Sequence, residues 1–187
     1  LLLALLILAV FKYADFAIDN VNDILSIAGS DKELDYLDLL LPMGISFYTF
    51  QSLGYLLDVY WEKAEAQRNL PKYMLFVSFF PQLIQGPISR YSDLARSMYG
   101  EHTFNWKHVR FGLERILWGF FKKLVVADTI LTAVQVIISD EYYSGAWVLV
   151  GIVFYGIELY ADFTGGIDIT IGVAQVFGIH VEENFIR

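Results

Sequence analysis

The chain has no cysteine, and only 4 of its 187 residues are proline. Without cysteine there is no disulfide framework, no thiolate nucleophile and no thiolate metal site. Cations are scarce as well: 13 Lys and Arg stand against 21 Asp and Glu, a net charge of −8. A nucleic-acid partner needs clustered Lys and Arg and is excluded on that ground. The sequence contains no Gly-x-Ser-x-Gly elbow, no P-loop, no dinucleotide fingerprint, and no internal repeat or low-complexity tract. Its opening run, LLLALLILAV, lacks the basic flank and the small-x-small cleavage site of a signal peptide.

What the sequence has is apolar bulk. Hydrophobic residues make up 56 % and aromatic residues 17 %, and the mean hydropathy of +0.49 is far above that of a soluble domain. These values predict an all-α, polytopic integral membrane protein with the lipid bilayer as its solvent. The apolar opening without a methionine, and the end at Arg187 just after the Glu-Asn-Phe run, suggest an internal piece of a longer chain lacking both ends, with a truncated helix at 1–11.

Loop charges predict the topology. Residues 12–38 carry Asp15, Asp19, Asp23, Asp31, Glu33, Asp35 and Asp38 against Lys12 and Lys32, which suits the outer side. Within them, 16–27 has the pattern of an amphipathic surface helix. A crossing is expected at 39–60, with Pro42 and Gly44 near its start and Gln51 and Ser52 near its middle. The loop 61–72 (Lys63, Arg68, Lys72) and the stretch after residue 88 (Arg90, Arg96, Lys107, Arg110) are both basic and belong inside. Next come a long helical pattern at 109–138, a short acidic turn at 139–145, an inward helix at 146–163 and a glycine-punctuated apolar segment at 164–178.

Between the two basic loops lies a short apolar stretch, about 73–88, which a single crossing would place on opposite sides of the membrane. Residues 79–91, FFPQLIQGPISRY, are interrupted by Pro81, Gly86 and Pro87. Each proline removes a backbone donor and clashes with the preceding turn. Lipid cannot satisfy the freed carbonyls, so such a break must be buried by protein or line a wet cavity. We expect this segment to dip in and return. Gln82, Gln85, Ser89 and Arg90 add amides, a hydroxyl and a guanidinium, making the segment a candidate path lining, with Gly86 at its narrowest point.

Glu158, Asp162 and Asp168 are the carboxylates nearest membrane depth. A proton relay or ion site is open to them. The simpler expectation is that they pair with Arg115, Lys122 or Lys123 and fix helix packing. His102 and His108 read as solvated loop residues, and His180 in His-x-Glu-Glu lacks the spacing of a zinc helix. Trp61, Trp106, Trp118 and Trp147 read as interface belts and packing.

Four stretches, LLPMGISFYTFQSLGYLLDVY (40–60), FFPQLIQGPISRY (79–91), WGFFKKLVVAD (118–128) and YADFTGGIDITIGVAQVFGIHVEENF (160–185), resemble in that order the membrane-bound O-acyltransferase family. The likeness is to its alginate O-acetyltransferase branch, which FKYADF (11–16) also fits. The D-alanyl-transfer branch is less similar around 42–60.

The resemblance implies transfer of an acyl group, usually acetyl, from a cytoplasmic acetyl-CoA-like thioester to a hydroxyl of an exported polysaccharide or cell-wall polymer. It implies no bound cofactor or metal, a central tunnel through a ring of helices, and periplasmic or extracellular acyl-transfer partners. Gln82, Gln85, Gly86, Arg90, Gln51 and Asp162 are the candidate tunnel-lining set. The family's catalytic histidine follows its Glu-Asn-Phe motif and is expected downstream of Arg187, so no catalytic residue is assigned here, and the chain alone is expected to be inactive. From the residues alone, a transporter with discontinuous helices is the competing class, and a catalytically silent scaffold a third.

Overall fold

The computed structural model describes residues 2–30, 32–87, 89–139, 143 and 145–184. Among these residues there is no strand. The helices are α1 (Leu2–Ile27), α2 (Ile45–Tyr60), α3 (Leu70–Val77), α4 (Gln82–Gln85), α5 (Tyr91–Met98), α6 (Trp106–Phe120), a π-helical segment (Phe121–Ala127), α7 (Asp128–Ser139) and α8 (Ala146–Val176).

The helix expected at 1–11 does not stop there. It continues through the acidic stretch to Ile27 as one 26-residue helix, absorbing the surface helix expected at 16–27. Asp15, Asp19 and Asp23, four residues apart, lie on one face, and two of them hold the strap that follows: Leu37 N–H donates to Asp15 Oδ1 at 2.9 Å and the Tyr36 hydroxyl to Asp19.

The crossing expected at 39–60 is shorter than predicted. Ile45 N–H closes a turn on the Pro42 carbonyl, and Gly44 is left-handed (φ 77), so α2 starts only at Ile45. A side chain at Gly44 would meet the Leu83 carbonyl at 2.8 Å, a second demand for glycine there. At 1.5 Å per residue the 16 residues span roughly 24 Å. Among the described residues, the one helix long and apolar enough to cross a membrane is α8, with 31 residues. It joins the two segments expected at 146–163 and 164–178.

The frame is an antiparallel pair, with α6, the π segment and α7 running along α8. Glycines at a seven-residue spacing bring the two backbones together. A Cβ on Gly112 would lie 2.7 Å from the Gly172 carbonyl, and one on Gly119 would lie 2.6 Å from that of Gly165. Interfaces of this kind are built from small residues because apolar side chains gain little from leaving lipid.

Where α2, α3, α5 and the C-terminal half of α8 meet, Tyr55, Phe76, Phe79, Tyr91, Leu94 and Ile171 form the hydrophobic core. Both basic loops are tied to it. Gln67 donates from its backbone N–H to the Tyr55 hydroxyl (2.7 Å) and from Nε2 to the Tyr91 hydroxyl (2.9 Å). The Tyr99 hydroxyl donates to the Lys72 carbonyl (2.5 Å), and burial, followed by the neighbouring Tyr91, pushes its pKa up so that it stays a donor. The ends of the interrupted stretch are therefore joined to each other.

Candidate functional site

Helix stops at Val77, makes one turn at Gln82–Gln85, and stops again. Neighbouring elements hold carbonyls of the proline-bearing break. The Pro81 carbonyl accepts from Thr170 Oγ1 of α8 at 2.9 Å, and the Phe76 carbonyl from Gln51 Nε2 of α2 at 3.2 Å. Gln82, only 2 % exposed, turns inward and donates from Nε2 to Ser89 Oγ at 2.7 Å, spanning the break internally. Gly86 has an ordinary extended backbone, but a Cβ there would lie 2.5 Å from Gln82 Cα, so the constraint is the turn's own tightness.

Asp162, Gly166 and Thr170 recur every fourth residue and so share one face of α8. All three receive the break. Gln85 lies across Gly166, where a Cβ would collide with Gln85 Oε1, and its Nε2 donates to Asp162 Oδ2 at 3.3 Å. Lys123 pairs with the other oxygen of Asp162.

Asp168 lies roughly 120° around the helix from Asp162 and carries a second ionic group. Arg115 approaches one of its oxygens (2.8 Å from the terminal nitrogen) and Lys122 Nζ the other (2.6 Å). Arg115 also grips Glu183 with both terminal nitrogens, at 2.5 and 2.6 Å. That planar two-point pairing is what a guanidinium offers and an ammonium does not. Consecutive in the π segment, Lys122 and Lys123 reach different carboxylates of α8, Asp168 and Asp162.

The expected structural pairing thus holds for Asp162 and Asp168. Glu158 is buried and, among the described residues, has no cation within 4 Å. Gln82, Gln85, Gly86 and Asp162 come together around the break, while Gln51 clamps it from α2. Arg90 is exposed at the start of α5, and no hydrogen bond or ion pair among the described residues joins it to these glutamines. Arg187, beyond which the family's catalytic histidine is expected, lies outside the described residues. His108, expected in a solvated loop, lies instead on the first turn of α6, and with His180, Arg115 and Glu183 it lines a cavity of about 250 Å³. Sequence reasoning missed Thr170 and Glu183. The Asp162, Gly166, Thr170 spacing was a readable signal for the first, whereas Glu183 meets Arg115 across 68 residues with no periodicity to announce it.

The model of the MBOAT, membrane-bound O-acyltransferase family, matches residues 64–187. The chain belongs to that family. It is 37 % identical over 183 residues to a protein named Probable alginate O-acetylase AlgI from Azotobacter vinelandii, covering 97 % of this chain and 36 % of that protein. It is 31 % identical over 208 residues to the Peptidoglycan O-acetyltransferase of Helicobacter pylori, covering 96 % of this chain and 38 % of that protein. The Teichoic acid D-alanyltransferase of Bacillus subtilis is 25 % identical over 158 residues, covering 79 % of this chain and 38 % of that protein. The chain therefore spans little more than a third of the length of these relatives. None of them supports the transporter reading.

Proposed function

We propose that the whole protein is a multi-pass O-acyltransferase of the bacterial cytoplasmic membrane. It moves an acetyl group from a cytoplasmic acyl-thioester donor to a hydroxyl of an exported polysaccharide or cell-wall polymer. The relatives act on such polymers by name, and the observation that carries the reading to this chain is the proline-interrupted break docked on α8 within the family-matched region. In this reading the break borders the donor's path. Gln85, Gly86, Arg90 and Asp162 stand along that path, while Gln51 and Gln82 hold the break in shape. The catalytic histidine follows Arg187 in the whole protein, and periplasmic acyl-transfer proteins would take part beyond the outer face.

The same reading places 12–38 and 139–145 outside and 61–72 and 89–110 inside. The Gln67–Tyr91 and Tyr99–Lys72 bonds support it, since they hold both basic loops at one end of the fold. In a cysteine-free full-length background, Ala66→Cys and Glu101→Cys should react with an impermeant maleimide from the same side, and Ser30→Cys from the other. Labelling of Ala66→Cys and Glu101→Cys from opposite sides would refute the dip-and-return path.

The activity itself is tested with the full-length protein in vesicles, with radiolabelled acetyl thioester inside and polysaccharide outside. The expected result is alkali-labile label on the polymer. Label that crosses the bilayer without becoming covalently attached would instead identify a transporter and overturn the assignment.

A further inference from the structure

Beside the break, Ser89, Asp93, Arg96, Ser97, His180 and Glu182 line a cavity of about 290 Å³, room for roughly ten water volumes. Two hydroxyls in it are held in a particular way. Ser97 Oγ accepts the His180 backbone N–H at 2.6 Å, and Ser89 Oγ accepts Gln82 Nε2 at 2.7 Å. With a lone pair of each oxygen engaged, each hydrogen points elsewhere, and among the described residues no acceptor receives it. Arg96 has no carboxylate within 4 Å among the described residues. The cavity therefore offers two hydroxyl donors and a guanidinium together with two acceptors, the carboxylates of Asp93 and Glu182.

One cation against two anions disfavours a phosphate or carboxylate ligand. A neutral group with both an acceptor and a donor suits the cavity, and an amide has that pair: its carbonyl matches the hydroxyls and Arg96, its N–H a carboxylate. Behind Ser89, the buried Gln82 Oε1 has no hydrogen-bond partner among the described residues and continues the polar groups toward the break. The geometry points to this cavity as the subsite for the amide-bearing arm of the thioester donor, which deepens the acyl-transfer reading and rests on it for the donor's identity. The acyl thioester then lies ahead, along the break, and the amides are held at the mouth. Donors of this class present their thioester at the end of an arm with two amides, which the cavity's donors and acceptors match.

The test uses the full-length protein and four donors with the same acetyl thioester: acetyl-CoA, S-acetylpantetheine, S-acetyl-N-acetylcysteamine with one amide, and S-acetyl-2-mercaptoethanol with none. In the parent, kcat/KM should fall at least tenfold when both amides are removed, through KM. In Asp93→Asn and Ser97→Ala the amide-bearing donors should lose about tenfold while the amide-free donor is unchanged, so the discrimination collapses; Ser97→Thr should restore it. In parallel, the unreactive thioether S-ethylpantetheine is titrated by calorimetry, and its Kd should rise about tenfold in the same variants. Variants that weaken every donor equally, or bind the thioether as the parent does, overturn the subsite. A parent that binds the thioether in a Ser97-dependent way but transfers no acetyl overturns the acyl-transfer reading and leaves the subsite standing. Loss of both overturns both.

Discussion

The two halves of α8 read alike in hydropathy and behave in opposite ways. From Ala146 to Phe163 the large side chains point outward, with Leu149 66 % and Ile152 61 % exposed. Past Thr164 the helix is enclosed, and its buried positions are Gly165, Gly166, Asp168, Thr170 and Gly172 along with Ile167, Ile171 and Ala174. The first half resembles a soluble helix turned inside out, as expected where hydrocarbon is the solvent and outward-facing leucine is at rest. The second half shows what such a protein keeps for its interior: glycines for close approach and polar groups that must find each other. Burial here follows the partners available to each residue, and hydropathy alone does not report it.

Substitutions placed in the two halves can break this comparison. The largest effect is expected for Asp168→Asn, which leaves Arg115 and Lys122 without their shared carboxylate. The Asp168 side chain is only 6 % exposed, so stability should fall by about 3–5 kcal/mol. Asp162→Asn breaks a pair whose acid is 31 % exposed and should cost only about 1 kcal/mol. The unfolding midpoint of the detergent-solubilised protein reads both, and equal losses would mean that exposure does not separate the two ion pairs.

Next, Gly165→Leu drives a side chain against the Gly119 carbonyl 2.9 Å away and should cost about 3 kcal/mol or prevent accumulation. Gly156→Leu in the first half meets nothing within 4 Å and should change the midpoint by no more than about 0.5 kcal/mol. If Gly156→Leu is the more damaging, the first half is packed against something and the comparison fails.

Among the substitutions in the enclosed half of α8 the smallest effect is expected for Thr170→Val, which keeps the shape but strands the Pro81 carbonyl and should cost about 2 kcal/mol. Amide exchange should quicken at residues 78–90 and stay unchanged in α6. Uniform quickening would mean that Thr170 serves the whole fold and not the break.

The position of the break was legible because Pro81, Gly86 and Pro87 obey backbone rules that lipid cannot relax. The carboxylate partners were legible because buried charges need counter-charges. The join at residues 163–164 was not. Gly165 and Gly166 look like breakers, yet Thr164 bonds back to the Tyr160 carbonyl at 2.8 Å and the helix runs on, with the missing side chains filled by the Gly119 backbone and by Gln85. Local propensity sees the glycine and not the partner that occupies its space. The same limit hid the continuity of α1, expected as a truncated helix at 1–11 and a separate surface helix at 16–27, whose Asp15 and Asp19 are seen in the structure to carry Leu37 and Tyr36. Gln82 and Gln51 were chosen for their chemistry, but they are turned inward to hold the break, a role that depends on neighbours 7 and 25 residues away.

The π segment has a consequence for insertions and deletions. Along α6 and α7 the residues buried against α8 are Gly112, Gly119, Ala127 and Val134, steps of seven, eight and seven. The middle step holds one residue more than an even α-helical rhythm would, and the wider turn absorbs it. Deleting one of Leu124, Val125 or Val126 would restore an unbroken rhythm and leave α7 in phase with its track, whereas a deletion within α6 or α7 would throw that track out of step. In the register of this hairpin the surplus residue acts like a leap day: the wider turn takes it in, and the days that follow keep their place.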